Sequence, residues 1–281
     1  MRISVIIATY NKPDWLELVL WGYAAQRRTP AEVIIADDGS DERTRAVVAR
    51  LTPQLPFPVR HVWHEDDGFR KCTILNEAIL AAECEYLLFT DDDCVPRNDF
   101  VETHATHAQR GRFLSGGALK LPMEVSQQLT AADVLSGNAT DSRWLRAHGM
   151  PASRRLARLS AGPLLARTLD ALTPTRASFN GGNASAWKSD IIAVNGFDER
   201  LRYGGLDREL GERLENAGIR GKQLRHRAIL VHLEHSRGYR DENAIRQNRA
   251  IRDETAATRR TRTPSGIDGH TRAENRNGPV R

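Results

Sequence analysis

The sequence predicts an α/β fold: a Rossmann-like, mainly parallel central sheet flanked by helices, with an Arg-rich helical insertion. Short apolar strands alternate with helical patterns through the first half of the chain, as in βαβ units. The length of 281 residues and the hydrophobic content of 40% allow one substantial core. Two acidic clusters, at 37–38 and 91–93, follow predicted strands, which is where open α/β sheets bind ligands.

The elements of the first half follow from local patterns. Pro13 fits the first turn of a helix, where its missing N–H costs no hydrogen bond, and Asn11 is a candidate N-cap. Apolar residues from Ile74 to Ala82 recur with helical spacing. The predicted strands are 3–8, 32–36, 59–64 and 86–90, and further helices are predicted at 42–51 and 70–82.

The second half is less regular. Residues 124–175 mix Arg with Leu and Ala, and we predict an insertion that covers a site. A helix is predicted at 206–217, ended by Gly218 as a left-handed cap, and a strand at 228–233. Beyond residue 237 the chain is rich in Arg and Asn, and disorder is expected from about residue 261.

Composition argues against several classes of protein. The net charge of +5 comes from Arg scattered among acids, and the 6% of aromatic residues do not interleave with basic runs, so nucleic-acid binding is not predicted. Attraction to anionic lipid or to a phosphorylated glycan is the alternative use of this charge. No apolar run reaches the roughly 20 residues that cross a bilayer. Cys72, Cys84 and Cys94 lack CxxC spacing, which favours a reducing, cytoplasmic location.

Three adjacent carboxylates end the fourth predicted strand. Asp91, Asp92 and Asp93 repel one another outside bulk water, so a divalent cation is their natural partner. Side chains alternate along an extended chain, which predicts that Asp91 and Asp93 reach one site while Asp92 points elsewhere. The alternative is a solvated acidic turn.

Several motifs resemble known enzymes. ISVIIATYNK at 3–12, ADDGS at 36–40 and LFTDDDCVP at 88–96 resemble the GT-A fold of family 2 glycosyltransferases. The second half resembles the carboxyl-terminal part shared by β-1,4-galactosyltransferases and bacterial chondroitin-type polymerases. Its motifs are FNGGNAS at 179–185, VNGFD at 194–198, GGLD at 204–207 and HLEHSR at 232–237, and GFRKCTILN at 68–76 is also similar.

The resemblance implies a metal-dependent, inverting transferase (a hexosyltransferase) that moves a sugar from a UDP-sugar to a saccharide or lipid-linked saccharide. Its implied setting is the synthesis of a cell-surface polysaccharide or lipopolysaccharide. It divides the chain into a GT-A domain at 1–240 and an Arg-rich tail at 241–281. Within the domain, 1–120 is the nucleotide-binding half, 121–178 the insertion and 179–240 the acceptor and catalytic half.

The resemblance also implies roles for individual residues. Asp93, His235 and His232 would hold Mn²⁺ or Mg²⁺, a mixed oxygen and nitrogen ligand set that suits Mn²⁺. Ala8 and Tyr10 would line a uridine pocket, and Asp38 would hold the uracil or ribose. The full set expected to contact the donor is Ala8, Tyr10, Asp38, Arg70, Asp91, Asp92, Gly181 and Gly182.

Asp207 is the predicted catalytic base. A carboxylate opposite the departing UDP suits single-displacement inversion, because the acceptor hydroxyl must lose a proton as it attacks. Gly204 and Gly205 allow the backbone to approach a sugar closely. Gly205 and Leu206 are predicted to contact the acceptor, whose identity is open because the related enzymes have Glu where Leu206 stands. The alternative for Asp207 is an ordinary acid in the first turn of a helix.

Other functions were weighed against this one. A zinc hydrolase using His232 and His235, or His104 and His107, lacks HExxH spacing. A sugar-nucleotide nucleotidyltransferase needs a Gly-rich loop after the first strand, and 8–12 contains no Gly. A non-catalytic sugar or nucleotide-binding protein is disfavoured by the intact acids and His235. The Arg-rich stretch 154–165 is a candidate contact with phosphorylated lipid at the inner membrane face, with a solvated helix as the alternative.

Overall fold

The computed structural model describes residues 1–235 and 241–271. Its strands are β1 (Ile3–Thr9), β2 (Glu32–Asp37), β3 (Val59–Trp63), β4 (Tyr86–Asp91), β5 (Cys94–Pro96), β6 (Arg112–Lys120), β7 (Ala184–Trp187) and β8 (Arg220–His232). The α-helices are α1 (Pro13–Ala24), α2 (Glu42–Leu51), α3 (Lys71–Ala81), α4 (Phe100–His107), α5 (Met123–Ser126), α6 (Ala131–Leu135), α7 (Ser142–Ala147), α8 (Pro163–Leu172), α9 (Lys188–Ala193), α10 (Leu206–Asn216) and α11 (Glu242–Thr258).

The strands form one sheet with the order β3-β2-β1-β4-β7-β6-β8-β5. The four strands predicted in the first half pair in parallel, so their carboxyl ends lie at one edge. Antiparallel β7 joins this half to the parallel pair of β6 and β8. The predicted α/β fold is confirmed. The sequence did not reveal β5, β6 and β7, because they are short or rich in Gly, Ser and Ala rather than β-branched residues.

Two hydrophobic layers cover the faces of the sheet. Val5 and Ile7 of β1 pack in one layer with α1, and Ile6 and Ala8 pack in the other with α3. This alternation explains why β1 is apolar at almost every position, as in other strands that are buried on both faces. The prediction that Asn11 caps α1 is wrong. Its φ is 51°, and its Oδ1 accepts a hydrogen bond from the Asp41 N–H instead.

The insertion at 121–178 folds into the short helices α5 to α8. Leu121, Val125 and Leu129 join the core layer that contains α1, and α8 packs against β8. Among the described residues, no helix combines the length and the apolar character needed to cross a membrane.

The chain after residue 240 is folded onto the domain. Helix α11 packs along α10, and Ile267 is 2% exposed. Asn195 Nδ2 donates to the Thr263 carbonyl at 2.9 Å, and a Cβ at Gly196 would lie 2.7 Å from Ile267 Cδ1. The expectation of disorder from residue 261 is therefore wrong for 261–271, because one Ile and a few backbone hydrogen bonds anchor a polar segment. Residues 272–281 lie outside the described part of the chain.

Candidate active site

A cavity of about 510 Å³ opens at the carboxyl ends of β1, β2 and β4. The strand ends, the start of α3, the loop before α10 and the end of β8 supply its walls. Eleven of the fourteen predicted site residues line it: Ala8, Tyr10, Asp38, Asp91, Asp92, Asp93, Gly205, Leu206, Asp207, His232 and His235. Within the described residues, the lining contains nothing from 121–178. An adjoining cavity that shares Tyr10, Lys12 and His235 is lined by Gln127, Leu129 and Ala131 of the insertion.

The acidic cluster is divided differently from the prediction. The Asp92 carboxylate accepts hydrogen bonds from Thr9 Oγ1 at 2.8 Å and from the Tyr10 N–H at 3.2 Å. Lys12 Nζ lies 3.3 Å from Asp92 Oδ1 and 2.9 Å from Asp93 Oδ2. The strict alternation fails because β4 ends at Asp91 and the chain turns at the next two residues. Asp92 thus ties the ends of β1 and β4 together, and burial raises its pKa to about 6.

Asp93 lies among three nitrogen-bearing side chains. His235 Nε2 lies 2.9 Å and His232 Nε2 lies 3.5 Å from its carboxylate. His232 is the last residue of β8, and His235 follows three residues later. The pairing of β5 with β8 places Cys94 beside His232 and so fixes this approach. Burial opposes ionisation of Asp93, but the hydrogen bond from His235 and the charges of His232 and Lys12 lower its pKa.

This group has the chemistry of a cation site. Ligand atoms of Asp93, Cys94 and His232 lie within 4.8 Å of one another, and His232 Nδ1 is buried without a hydrogen-bond partner among the described residues. Burial and the nearby acids raise the pKa of Cys94, so its thiol stays protonated and its Sγ lies 3.3 Å from Asp93 Oδ1. Because a protonated thiol is a poor metal ligand, the carboxylate and the imidazole are the groups here that could hold a divalent cation.

The predicted base pocket is framed by Tyr10 and Asp38. The Tyr10 ring is half-exposed, and its hydroxyl donates to Asp66 Oδ2 at 2.9 Å. Asp38 accepts from the Arg70 N–H at 3.1 Å and lies 2.8 Å from His64 Nε2. Burial raises the Asp38 pKa, while these two hydrogen bonds oppose the shift. Asp38 is thus a rigid buried acceptor at the cavity wall.

Arg70 does not line the cavity. Its guanidinium donates to the Glu65 carbonyl instead, and the next residue, Lys71, turns inward. Lys71 Nζ lies 2.6 Å from Asp91 Oδ1. Sequence reasoning missed Lys71 and Lys12, because a basic residue near a predicted acidic site has no distinctive spacing. Their effect is to balance the three carboxylates with two ammonium groups.

Asp207 is partly buried in the first turn of α10. The two glycines before it have positive φ, 97° at Gly204 and 86° at Gly205, and this sharp turn aims the start of the helix at the cavity. Burial raises the Asp207 pKa to about 6; the Lys71 charge opposes the shift and Asp91 adds to it. Asp207 Oδ1 has no hydrogen-bond partner among the described residues. A carboxylate that lines a cavity and has a raised pKa is suited to accept a proton.

Gly181 and Gly182 lie under the acids rather than in the cavity wall. A Cβ at Gly181 would be 2.5 Å from Asp207 Oδ1, and a Cβ at Gly182 would be 3.0 Å from Asp91 Oδ2. These two positions therefore require glycine for the carboxylates to keep their places.

The cavity wall beside Asp207 is apolar. Phe69 and Tyr203 meet edge to face with ring centroids 6.1 Å apart, and Leu206 is 5% exposed. No local pattern indicated the two aromatic residues, because they come from separate loops that only the fold brings together.

The chain matches two protein-family models. Residues 4–127 match "Glycosyl transferase family 2", and residues 172–236 match "N-terminal domain of galactosyltransferase". Chondroitin synthase of Escherichia coli is 26% identical over 242 residues, covering 77% of this chain and 32% of the synthase. Validoxylamine A glucosyltransferase of Streptomyces hygroscopicus subsp. limoneus is 28% identical over 234 residues, covering 77% of this chain and 48% of that protein. The chain thus spans less than half the length of these relatives.

Solved structures share the fold. S. aureus TarS 1-349 in complex with UDP-GlcNAc has a TM-score of 0.60 and 17% identity, covering 92% of this chain and 69% of that one. The mannosyltransferase PcManGT of Pyrobaculum calidifontis, in complex with GDP-Man and Mn2+, has a TM-score of 0.55 and 19% identity, covering 99% and 76%. The chain therefore has a GT-A fold built from a family 2 glycosyltransferase region at 4–127 and a galactosyltransferase-type region at 172–236.

Proposed function

We propose that this protein is a metal-dependent, inverting glycosyltransferase that moves a sugar from a UDP-sugar to a hydroxyl of a saccharide or lipid-linked saccharide. The observation that carries the proposal is Asp207, a partly buried carboxylate that lines the same cavity as the group formed by Asp93, His232 and His235. One cavity thus offers a proton acceptor and a site for a diphosphate-bound cation.

The donor would lie over the ends of β1, β2 and β4. Tyr10 offers a ring face for the base, and Asp38 offers a fixed acceptor for uracil or ribose. TarS is solved with UDP-GlcNAc and PcManGT with GDP-Man, so the fold accommodates either nucleotide and the choice of UDP rests on these two residues.

Asp93, His232 and His235 would hold Mn²⁺ or Mg²⁺. Such an ion, when bound, neutralises the charge that develops on a diphosphate leaving group. Lys12 and Lys71 would add positive charge on either side of the acids, and both lie in the same cavity wall.

Asp207 would take the proton of the acceptor hydroxyl as its oxygen bonds to the anomeric carbon. The bond from that carbon to UDP breaks in the same displacement, so an α-linked donor gives a β-linked product. Leu206 and the rings of Phe69 and Tyr203 would receive the acceptor, and an apolar wall suits the C–H face of a sugar ring. The chondroitin synthase relatives support a polysaccharide product. Lipopolysaccharide synthesis and a cytoplasmic location remain predictions.

The test is a screen of nucleotide sugars for release of free nucleotide, with and without Mn²⁺, and with Asp207→Asn as the matched control. A UDP-sugar that releases UDP only with metal and only with intact Asp207 supports the proposal. Release of pyrophosphate from a nucleoside triphosphate and a sugar phosphate would identify a nucleotidyltransferase instead. Nucleotide binding without turnover across saccharide acceptors would identify a non-catalytic binding protein.

A further inference from the structure

The insertion contains a strongly basic segment. Residues 142–178 contain seven Arg and one Asp, a net charge of +6, whereas the whole chain carries +5. The remaining residues sum to −1, because the basic stretch 220–281 is offset by acids elsewhere in the chain. Residues 142–178 are thus one of two basic regions.

Most of this charge is not balanced within the molecule. Arg176 pairs with Glu215, but the other six arginines of the segment form no ion pair with any described residue: Arg143, Arg146, Arg154, Arg155, Arg158 and Arg167. Arg158 is half-buried, and its pKa is lowered by burial and then by the like charges of Arg225 and Arg155. Clustered cations that repel one another favour binding of an external anion.

An exposed apolar face lies in the same segment. On α8, Leu164 is 82% exposed, Leu165 55% and Leu172 73%. Leu164 and Leu172 are eight residues apart, which places them on one side of the helix, and Leu165 lies next to them. We name these three side chains the leucine face. Such exposure is unusual for Leu in an otherwise well-buried chain.

The leucine face is held outward by the opposite side of α8. Ala166 and Asp170 are buried there, and Asp170 accepts hydrogen bonds from the His226 N–H at 2.8 Å and from Arg227 Nε at 2.6 Å. These contacts fix α8 to β8. The three leucines therefore cannot turn into the core without breaking a buried hydrogen-bond network.

We propose that the leucine face and the arginines of the same segment dock this protein on an anionic lipid bilayer. An exposed apolar helix face, with exposed Arg167 on the same helix and further arginines in the same segment, suits both layers of such a surface, the acyl boundary and the anionic headgroups. A soluble polyanion would use the arginines but not the leucines. A second copy of the chain, paired symmetrically through this face, would bring +6 against +6.

Docking would bring a membrane-borne acceptor within reach of the cavity. Gly181, beside the Asp207 carboxylate, follows Leu172 by nine positions, and an extended chain of that length spans at most about 30 Å. The inference does not depend on donor identity or on catalysis by Asp207, because vesicle binding is measured without turnover.

The experiment is flotation of the full chain with phosphatidylcholine vesicles that either contain or lack phosphatidylglycerol. The first variant is Leu164→Asn with Leu172→Asn, controlled by Leu135→Asn, an exposed Leu on α6. The second is Arg154→Gln, Arg155→Gln and Arg167→Gln, controlled by Arg45→Gln, Arg110→Gln and Arg249→Gln, which change net charge equally elsewhere on the surface. Thermal unfolding of each variant verifies that it is folded.

We expect binding only to the anionic vesicles, weakened by salt and lost in the leucine variant. The arginine variant should lower the partition coefficient about fivefold for each Arg removed, while both controls bind like wild type. Absence of binding to anionic vesicles overturns the proposal. Equal binding by the leucine variant also overturns it, because the arginines alone would then account for the binding. A lipid-free dimer that the leucine substitutions dissociate overturns it as well.

Discussion

A Cβ atom at Gly181 would lie 2.5 Å from Oδ1 of Asp207, so the backbone at this position directly limits where the carboxylate can sit. We expect Gly181→Ala to displace Asp207 and to lower kcat by about 10² or more, because small misplacements of a catalytic group are costly. Donor affinity should change little. Gly162→Ala is the matched control, since a Cβ there meets nothing within 4 Å. Steady-state kinetics with both variants would check this, and a fully active Gly181→Ala enzyme would contradict it.

Asp207→Asn keeps the shape of the side chain but cannot accept a proton. We expect kcat and kcat/KM for the acceptor to fall together by about 10² to 10⁴, with donor affinity unchanged. Because the Asp207 pKa is raised to about 6 and the base must be ionised, wild-type activity should fall as the pH drops through about 6. A pH–rate profile that is flat from 5 to 8, roughly the range on either side of that pKa, would refute the assignment.

The same raised pKa makes a prediction about stability. Asp207 binds a proton more tightly when folded, at about 6, than at its ordinary value of 3.8, so ionisation destabilises the folded state as the pH rises between these values. Asp207→Asn removes this cost of about 3 kcal/mol. The variant should therefore be more thermally stable than wild type at neutral pH, and the difference should disappear as the pH falls towards 3.8, the ordinary pKa of Asp. Thermal melts across this range measure it, and equal melting temperatures at neutral pH would argue against a desolvated carboxylate.

Removal of metal should weaken donor binding. Asp91, Asp92 and Asp93 place negative charge where the diphosphate would lie, and two lysines offset only part of it. We expect isothermal titration calorimetry to show UDP affinity at least tenfold lower in EDTA than in Mn²⁺. In Asp93→Asn, Mn²⁺ should no longer raise the affinity for UDP. Asp99→Asn is the control and should keep the effect of Mn²⁺, because Asp99 accepts a hydrogen bond from Arg97 instead. Equal UDP affinity in EDTA and in Mn²⁺ would contradict the assignment of a metal site.

Asn248 of α11 holds the loop that leads to Asp207. Its Nδ2 lies within hydrogen-bond distance of the carbonyl oxygens of Arg202, Tyr203 and Gly204, at 2.9, 3.1 and 2.7 Å. Asn248→Ala leaves these carbonyls without their donor, so we expect about 1–3 kcal/mol lower stability and a lower kcat at unchanged donor affinity. Gln247→Ala, exposed on the same helix, is the control. A lower donor affinity with normal kcat would mean that this loop serves the nucleotide instead.

The first half of the fold and most of the residues that line the cavity could be predicted from the sequence. Strands that are buried on both faces have long apolar runs, and the acids follow the ends of these strands. The predictions from sequence were wrong where tertiary contacts determine the local structure. The turn after Asp91 removed the alternation expected of an extended strand, and Lys71 rather than Arg70 faces the cavity because of where α3 begins. Ile267 anchors a segment whose composition indicates disorder. These outcomes depend on neighbours far along the chain, which no local pattern records.

The folded segment after residue 240 also sets an order of events during protein synthesis. The acids at the ends of β2 and β4 are made early, whereas Asn248, and Thr255, whose hydroxyl donates to the buried Glu209 of α10, emerge late. Until these residues are synthesised, the loop before Asp207 lacks the hydrogen bonds from Asn248, and α10 lacks its contacts with α11. A nascent chain would therefore complete the acidic edge of the sheet well before Asp207 is held in place, and an interrupted chain would keep those acids without a positioned Asp207.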